Sequence, residues 1–227
     1  MGTGAVMNDS APTAAVLFDV DGTLVDSTYH HALAWQRAFA RHDLVLPLWR
    51  IHRTVGMGGD KLVSEVAGQD VEAQLGDDLR EQWREQYEAV IGEVRPLPGA
   101  SELIQKLSKE GYAVALASSG EPDFAEKALD DLRVRDVVSV VKTSQDVDGS
   151  KPDPDLIEVT LEALGADRAV LVGDTPYDVT SAARAGLSCL AVRSGGYSEA
   201  ELTEAGAALV VDAPEDLLDL DWEQHLS

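Results

Sequence analysis

The segment AAVLFDVDGT, residues 14–23, constrains the fold more than any other stretch of the chain. The apolar run from Ala14 to Phe18 is typical of a buried strand, and Gly22 ends that pattern. Because side chains alternate along a strand, Asp19 and Asp21 are expected to face one spot at its carboxyl end. Two carboxylates this close repel each other. The pair therefore requires a nearby cation, or a proton on one of its members.

The charge balance argues against several classes of protein. The 227 residues include 18 Lys and Arg against 41 Asp and Glu, which gives a formal net charge of −23. Such a surface repels nucleic acid and anionic lipid, so we expect no DNA, RNA or membrane partner. A site for an anionic substrate in this chain would need its own local cations.

Three further features bear on the class of protein. Cys189 is the only cysteine and lies in the apolar run LSCLAV, so no internal disulfide can form and we expect a buried thiol. Residues 1–13 are small, polar and rich in glycine, which predicts a flexible leader. The sequence shows neither a secretion signal nor an apolar stretch of membrane-spanning length, and we therefore expect a cytoplasmic protein.

Residues 24–95 have the apolar spacing of helices. The stretch STYHHALAWQRAFARHD places Ala32, Trp35 and Phe39 on one helical face, with Ser27 as the predicted N-cap. Two more helical stretches follow, GDKLVSEVAG and VEAQLGDDLREQWREQYEAVIGEV, before the proline-containing RPLPGA. The pattern predicts an all-helical insertion between two linker points.

Strand and helix patterns alternate after residue 96, which predicts a parallel sheet with helices on both faces. Among these elements we expect a strand at VVSVV, residues 137–141, and a last strand at ALVV. We also expect a helix capped by Asp153 with Pro154 as its first residue. The acidic segment 212–227 is predicted to be a solvated helix or tail.

Polar residues follow several of these strands, and ligands of such sheets bind at the carboxyl ends of the strands. Ser118 and Ser119 end YAVALASS, where hydroxyls and following amides can hold a phosphate oxygen, although the same residues suit an ordinary turn. Lys151 precedes Pro152 in an extended backbone. A lone lysine before a turn is usually solvated, but this one would be the nearest cation to the predicted carboxylates.

Asp174 ends the strand RAVLVGD, and Asp178 lies one helical turn further on. Thr175 is the predicted N-cap of that helix, so Asp178 is as well placed for a capping box as for a metal site. Asp19, Asp21 and Asp174 would form an oxygen-rich pocket suited to Mg²⁺. Such an ion, together with a lysine, would supply the cations that the paired aspartates and a bound phosphate require.

Four of these motifs occur in a familiar order. The segments DVDGTLVD, the strand-end Ser118, Lys151 within SKPDPD, and GDTPYD resemble the four motifs of the haloacid dehalogenase superfamily. The resemblance covers nearly all of the chain from residue 14 and extends to the β-phosphoglucomutase and phosphoglycolate phosphatase-like group. It implies an α/β, Rossmann-like catalytic core formed by residues 14–23 and 96–227. Residues 24–95 take the place of the superfamily's C1 helical cap domain.

The resemblance also implies a role for each matching residue. Asp19 would be the nucleophile that forms an aspartyl-phosphate, and Asp21 the general acid and then the general base. Ser118 and Lys151 would hold the transferring phosphoryl group, and Ser119 is a further substrate-binding candidate.

The implied metal is Mg²⁺. It would be bound by the carboxylates of Asp19 and Asp174 and by the backbone carbonyl of Asp21. Asp178 would lie behind these ligands or bind the ion through water.

Cap residues provide four further candidates for substrate binding. His31 and Trp35 have the spacing seen at the start of the cap in β-phosphoglucomutase and related sugar phosphatases, although residues four apart on a helix also pack together routinely. Arg53 and Lys61 lie in RTVGMGGDKL, which resembles the substrate-specificity loop of the cap but also suits a flexible turn.

The second aspartate selects among activities. Dehalogenases of the superfamily lack it, because a halide leaves without a proton, and the phosphonatase branch has another residue there; Asp21 argues against both. The sequence thus predicts a Mg²⁺-dependent phosphatase that acts on a small phosphorylated metabolite, a sugar phosphate or a phosphoglycolate-like compound. The alternatives are a β-phosphoglucomutase and, less favoured, a binding protein without turnover. We expect a monomer or a weak homodimer.

Overall fold

A computed structural model describes residues 14–227, so the predicted leader lies outside the described residues. The helices are α1 (Thr28–Arg41), α2 (Leu48–His52), α3 (Gly59–Ala67), α4 (Gln69–Glu88), α5 (Ala100–Lys109), α6 (Pro122–Leu132), α7 (Asp155–Leu164), α8 (Pro176–Arg184) and α9 (Glu199–Ala205). The strands are β1 (Ala14–Phe18), β2 (Ala113–Ala117), β3 (Val140–Lys142), β4 (Arg168–Gly173), β5 (Ser188–Val192) and β6 (Leu209–Val211).

The six strands within residues 14–227 form one sheet in the order β3-β2-β1-β4-β5-β6. Every neighbouring pair is parallel, and Phe18 at the end of β1 lies opposite Leu116 of β2 and Val172 of β4. The carboxyl ends of β1, β2 and β4 therefore lie side by side at one edge. This edge is where an open parallel sheet offers its ligand crevice.

Strand β1 shows why the sheet has helices on both faces. Val16 and Phe18 pack with side chains of α5 and α6, whereas Ala15 and Leu17 pack with side chains of α7 and α8. All four residues are completely buried, as expected for a parallel strand with a continuous apolar sequence. The predicted α/β fold class, a Rossmann-like parallel sheet with helices on both faces, is confirmed.

Helices α1 to α4 have a hydrophobic core of their own. Trp35 and Phe39 of α1 pack there with Leu62 of α3 and Leu79 of α4. The chain enters and leaves this helical segment through two adjacent strand-like stretches, where the backbone N–H of residue 26 donates to the carbonyl of residue 95 at 2.9 Å. The domain boundaries given above stay a prediction.

Two element boundaries differ from the expected ones. The third strand begins at Val140, three residues later than predicted, because residues 134–138 instead form a turn that follows α6. Helix α7 begins at Asp155 with Pro154 as its N-cap, so the predicted cap at Asp153 is wrong. The carboxylate of Asp153 instead pairs with Lys61 and Arg184.

The prediction of a solvated C-terminal segment is also wrong. Two single-turn 3₁₀ helices, Pro214–Leu217 and Trp222–Gln224, place apolar side chains against the core. Leu217 and Trp222 are buried in the same hydrophobic cluster as α5. The acidic residues between them point outward. The acidic composition of the segment therefore gave no sign that Leu217 and Trp222 anchor it to the core.

Two expectations concern burial and membranes. Cys189 is 2% exposed, as predicted for a small apolar residue in β5, and burial raises the pKa of its thiol. Among residues 14–227, the helices lack the combination of length and apolar character that crossing a bilayer requires.

The buried Trp222 generates a stability prediction. Trp222→Ala should lower the free energy of unfolding by about 3–5 kcal/mol, because it removes a large side chain from a packed core and leaves a cavity. Urea denaturation measures this change. Asp219→Asn alters a fully exposed side chain of the same segment and should change stability by less than about 0.5 kcal/mol. Equally small changes in the free energy of unfolding for both substitutions would mean that the segment is solvated.

Candidate active site

Three carboxylates meet at the carboxyl edge of the sheet. Asp19 follows β1, Asp174 follows β4, and Asp178 lies in the first turn of α8. One oxygen from each carboxylate lies within 4.8 Å of the others, and all three residues are buried. Neighbouring parallel strands thus bring together residues that are more than 150 positions apart in the sequence.

Lys151 is the cation of this cluster. It is 1% exposed, and its Nζ forms ion pairs with Asp19 Oδ1 and, at 2.7 Å, with Asp178 Oδ1. Burial alone would lower the pKa of Lys151, but the charges of Asp178 and Asp19 outweigh burial and hold the pKa above its ordinary value. The ammonium group therefore stays charged at neutral pH.

Asp174 has one satisfied oxygen and one free one. Its Oδ1 accepts a hydrogen bond from Thr23 Oγ1 at 3.0 Å, whereas its buried Oδ2 has no hydrogen-bond partner among residues 14–227. Gly22, at φ +80°, and Gly195 lie so close to this carboxylate that a Cβ on either would overlap it. The two glycines form a narrow cradle around an oxygen that lacks a partner.

The site holds more negative charge than one lysine can balance. Burial raises the pKa of Asp19 to about 7; the charge of Lys151 opposes this rise, and Asp178 and Asp21 add to it. Burial and the neighbouring charges of Asp178 and Asp19 likewise raise the pKa of Asp174. An additional cation would relieve this repulsion. The buried carboxylates and the free Asp174 Oδ2 are a donor set that fits Mg²⁺, which favours oxygen ligands.

Asp178 combines two structural roles. Its Oδ2 accepts hydrogen bonds from the backbone N–H of Thr175 at 3.0 Å and from Thr175 Oγ1 at 2.6 Å, and so forms the predicted capping box of α8. Its Oδ1 faces Lys151. The capping interpretation is confirmed, and the role of Asp178 near a metal stays a prediction.

Asp21 has a different environment from Asp19. Its Oδ1 accepts a hydrogen bond from Ser27 Oγ at 2.7 Å and lies 2.9 Å from His31 Nε2. Burial would raise the pKa of Asp21, but His31 and Ser27 together hold it below its ordinary value. Ser27 occupies the predicted N-cap position of α1, yet its hydroxyl serves Asp21 and makes no cap hydrogen bond.

The loop after β2 provides the opposite wall. Ser118 is buried, and its Oγ accepts a hydrogen bond from the backbone N–H of Gly120 at 3.0 Å. The neighbouring Ser119 Oγ is buried and has no hydrogen-bond partner among the described residues. A Cβ at Gly120 would lie 3.3 Å from Asp21 Oδ2, so this loop passes directly beside the second aspartate.

A small cavity of about 60 Å³ lies between the carboxylates and the helical segment. Asp19 and Asp21 line one side, and the predicted substrate-binding residues His31, Trp35 and Ser119 also line it. The structure thus brings these three candidates to the same cavity as Asp19 and Asp21. Their contact with substrate stays a prediction.

The other two cap candidates lie elsewhere. Arg53 pairs with Glu201 and stacks over the ring of Tyr197, with its guanidinium carbon 4.1 Å from the ring centroid. Lys61 donates to Asp153 Oδ2 at 2.6 Å and to a backbone carbonyl of the core. Neither residue lines the small cavity. In this structure both cations link the helical segment to carboxylates of the sheet domain.

Sequence reasoning missed three residues of the site. Thr23 donates a hydrogen bond to Asp174. Because Thr23 follows Asp21 by only two residues, its position in the sequence could have indicated that it belongs to the site. Tyr87 and Trp83 of α4 stack on His31 with ring centroids 3.9 Å and 5.6 Å apart. Their spacing of four residues indicated only a shared helix face, because the packing of α4 against α1 cannot be read from either helix alone.

Comparisons with known proteins agree with this geometry. The profile of the family described as haloacid dehalogenase-like hydrolase matches residues 16–192. An N-acetylmuramic acid 6-phosphate phosphatase from Pseudomonas aeruginosa is 31% identical over 214 residues, which cover 91% of this chain and 93% of that protein. A phosphoglycolate phosphatase from Rhodospirillum rubrum is 32% identical over 209 residues, which cover 87% of this chain and 86% of that protein.

Among solved structures, a hydrolase from Pseudomonas syringae superposes with a TM-score of 0.86 at 34% sequence identity. The match covers 91% of this chain and 97% of that structure. The family profile spans most of the chain, and the chain has both the four sequence motifs and the parallel sheet described above. The chain therefore belongs to the haloacid dehalogenase-like hydrolases, as its four motifs predicted.

Proposed function

We propose that this protein is a Mg²⁺-dependent phosphatase that hydrolyses a small phosphorylated metabolite through an aspartyl-phosphate intermediate. The broader class, a phosphoric monoester hydrolase, follows from the family match and from relatives named as phosphatases. The observation that carries the proposal is the buried Lys151 between Asp19 and Asp178, beside the free oxygen of Asp174. This arrangement suits a dianionic phosphate and a nucleophilic carboxylate.

In the first step, Asp19 attacks the phosphorus atom of the ester. Its Oδ1 is paired with Lys151, so Oδ2 is the oxygen left to form the new bond. The bond between phosphorus and the ester oxygen breaks as this bond forms. Lys151 offsets the negative charge, while the Ser118 hydroxyl, which accepts from Gly120 and keeps its own proton to donate, holds a phosphoryl oxygen.

Asp21 moves the protons. Its Oδ1 is held by Ser27 and His31, which leaves Oδ2 to donate a proton to the departing alcohol oxygen. In the second step the same oxygen accepts a proton from water, and the water oxygen attacks phosphorus and releases Asp19 and inorganic phosphate. The contacts with His31 and Ser27 favour the ionised form of Asp21, which its second role as base requires. The negative charge of a bound phosphate ester acts in the opposite direction and favours the protonated form, which its first role as acid requires.

The residues that would hold Mg²⁺ are Asp19, Asp174 and the backbone carbonyl of Asp21. The unpartnered Asp174 Oδ2 and the raised pKa of both carboxylates support this assignment. When bound, the ion supplies positive charge for the oxygens of the phosphoryl group.

The distribution of cations favours a phosphatase over a mutase. A mutase must hold a second phosphate while its intermediate is protected from water, which requires free cationic side chains in the cap. Arg53 and Lys61, the two candidates, are paired with carboxylates outside the small cavity. A binding protein without turnover is disfavoured because the charged residues that the chemistry requires are all present. The cytoplasmic location and the monomeric or weakly dimeric state stay predictions.

Asp19→Asn tests the nucleophile. The substitution should lower the rate of phosphate release from p-nitrophenyl phosphate with Mg²⁺ by at least about 10³-fold, because the amide cannot form the aspartyl-phosphate. Circular dichroism should show an intact fold. Glu204→Gln changes an exposed carboxylate of α9 in the same way and should retain full activity. Turnover by the Asp19→Asn protein at the native rate would refute the proposal.

Asp174→Asn tests the metal site. It replaces the unpartnered Oδ2 with an amide nitrogen, which does not bind Mg²⁺, and leaves an oxygen for Thr23. The Mg²⁺ concentration for half-maximal activity should rise at least about tenfold. Titration calorimetry with Mg²⁺ alone should show the same loss of affinity. An unchanged Mg²⁺ requirement in both measurements would place the ion elsewhere.

Asp21→Asn tests the proton transfers. The loss of a general acid should slow release of a poor leaving group by about 10²–10⁴-fold. A p-nitrophenolate leaving group needs no proton, so its first step should suffer less, and the aspartyl-phosphate should accumulate in rapid-quench samples. Equal losses with activated and unactivated esters, without a trapped intermediate, would assign Asp21 another role.

A further inference from the structure

The small cavity at the aspartates adjoins a larger one of about 250 Å³. Gly59, Trp83 and Ser119 line both cavities. A phosphate ester whose phosphorus lies against Asp19 would therefore extend its alcohol part into the larger cavity, which we call the outer cavity. The residues that line the outer cavity determine which alcohols fit.

The only cation that lines the outer cavity, among the described residues, is Arg80 of α4. Its guanidinium donates to Glu72 Oε1 at 2.9 Å and to Asp77 Oδ1 at 2.8 Å. It also donates to the carbonyl of Gly59 at 3.2 Å. Two carboxylates thus balance its charge, and both Nη1 and Nη2 already have acceptors. Arg80 is not a free partner for an anionic substrate group.

Three carboxylates line the same cavity: Asp60, Glu121 and Asp148. Glu121 pairs with Arg84, whereas Asp60 accepts a hydrogen bond from the neutral Ser150 Oγ at 2.6 Å. The cation next to Asp60 in the sequence, Lys61, is paired with Asp153 instead. The walls of the outer cavity therefore carry excess negative charge, which repels a second anionic group on a substrate.

The inner wall of the cavity offers a different kind of contact. Trp83 stacks on Trp35 with ring centroids 5.2 Å apart and an interplanar angle of 14°. The buried Trp83 Nε1 and Ser119 Oγ have no hydrogen-bond partners among residues 14–227. A stacked aromatic wall suits a ring that carries hydroxyl groups, because such a ring has an apolar face for the wall and polar edges for the carboxylates of the cavity.

We propose that the substrates are phosphate esters of ring alcohols that carry hydroxyl or amino groups and no second anion. The inference rests on the phosphatase function proposed above and narrows its substrate class. Trp83 and Ser119 contact the ring, while Asp60 and Asp148 accept hydrogen bonds from its hydroxyl or ammonium groups. The same two carboxylates reject esters that contain a carboxylate or another phosphate, including 2-phosphoglycolate.

The test compares esters that differ mainly in charge. Glucose and glucosamine are offered as their 1-phosphates and 6-phosphates, against glucuronic acid 1-phosphate and 2-phosphoglycolate, with p-nitrophenyl phosphate as the reference. We expect the best neutral or amino sugar ester to exceed both anionic esters in kcat/KM by at least about tenfold. Glucose 1-phosphate and glucuronic acid 1-phosphate share one ring and one linkage, so their ratio isolates the effect of the carboxylate.

Two substitutions test the assigned residues. Asp60→Asn removes the charge and retains an oxygen for Ser150, and Asp148→Lys reverses an exposed charge at the cavity wall. Each should lower the preference for glucose 1-phosphate over glucuronic acid 1-phosphate by at least about threefold. Glu204→Lys makes the same charge reversal as Asp148→Lys, but on α9, and should leave this preference unaltered. Circular dichroism confirms that each variant is folded.

The outcomes separate the two proposals. Hydrolysis of p-nitrophenyl phosphate together with equal kcat/KM for neutral and anionic esters would overturn the substrate class and leave the phosphatase function in place. The same holds if 2-phosphoglycolate is the best of the esters. Failure to hydrolyse any ester, including p-nitrophenyl phosphate, would overturn the phosphatase function itself. A preference that neither substitution alters would remove Asp60 and Asp148 from the proposal.

Discussion

The site depends on the burial of one ammonium group. Lys151 is almost fully buried and contacts the carboxylates of Asp19 and Asp178, which come from the end of β1 and the start of α8. Removing the lysine, or removing both carboxylates, would leave an uncompensated charge in the interior, which costs several kcal/mol. The pairing therefore fixes the loop before α7 against the sheet edge and presents one free oxygen of Asp19 to the cavity.

The two aspartates that follow β1 differ in pKa because their neighbours differ. Asp19 shares its space with Asp178 and Asp174, and burial raises its pKa to about 7 despite Lys151. Asp21 faces His31, which also stacks on the ring of Tyr87, and the pKa of Asp21 is lowered. This order is the reverse of what an ionised nucleophile and a protonated acid require, so the role proposed for Asp19 depends on a further cation beside the buried carboxylates.

Short sequence patterns predicted the features that depend only on residues close together in the chain. The alternation of strand side chains directed Asp19 and Asp21 toward one site, and the Thr175 capping box followed from its spacing. The sequence could not predict contacts between distant elements. The stacking of Tyr87 on His31 depends on how α4 packs against α1, and the burial of Trp222 depends on a surface formed by other parts of the chain. The acidic composition of residues 212–227 predicted solvation, because the charge of a segment can be read from its sequence. Its packing against the rest of the chain cannot.

The acidic composition reaches into the site itself. With 41 acidic and 18 basic residues, nearly every cation near the cavities has a carboxylate close to it. Arg53 and Lys61 bind Glu201 and Asp153 and so hold the helical segment against the sheet domain, and Arg80 is held by its own helix. The residues that the sequence offered as anion contacts thus act as connections between elements. Positive charge is concentrated at Lys151 beside Asp19, and the cations elsewhere around the cavities are balanced by carboxylates. Under the proposed function, the same excess of carboxylates that requires a buried cation beside Asp19 also disfavours a second negative charge on the alcohol that enters the outer cavity.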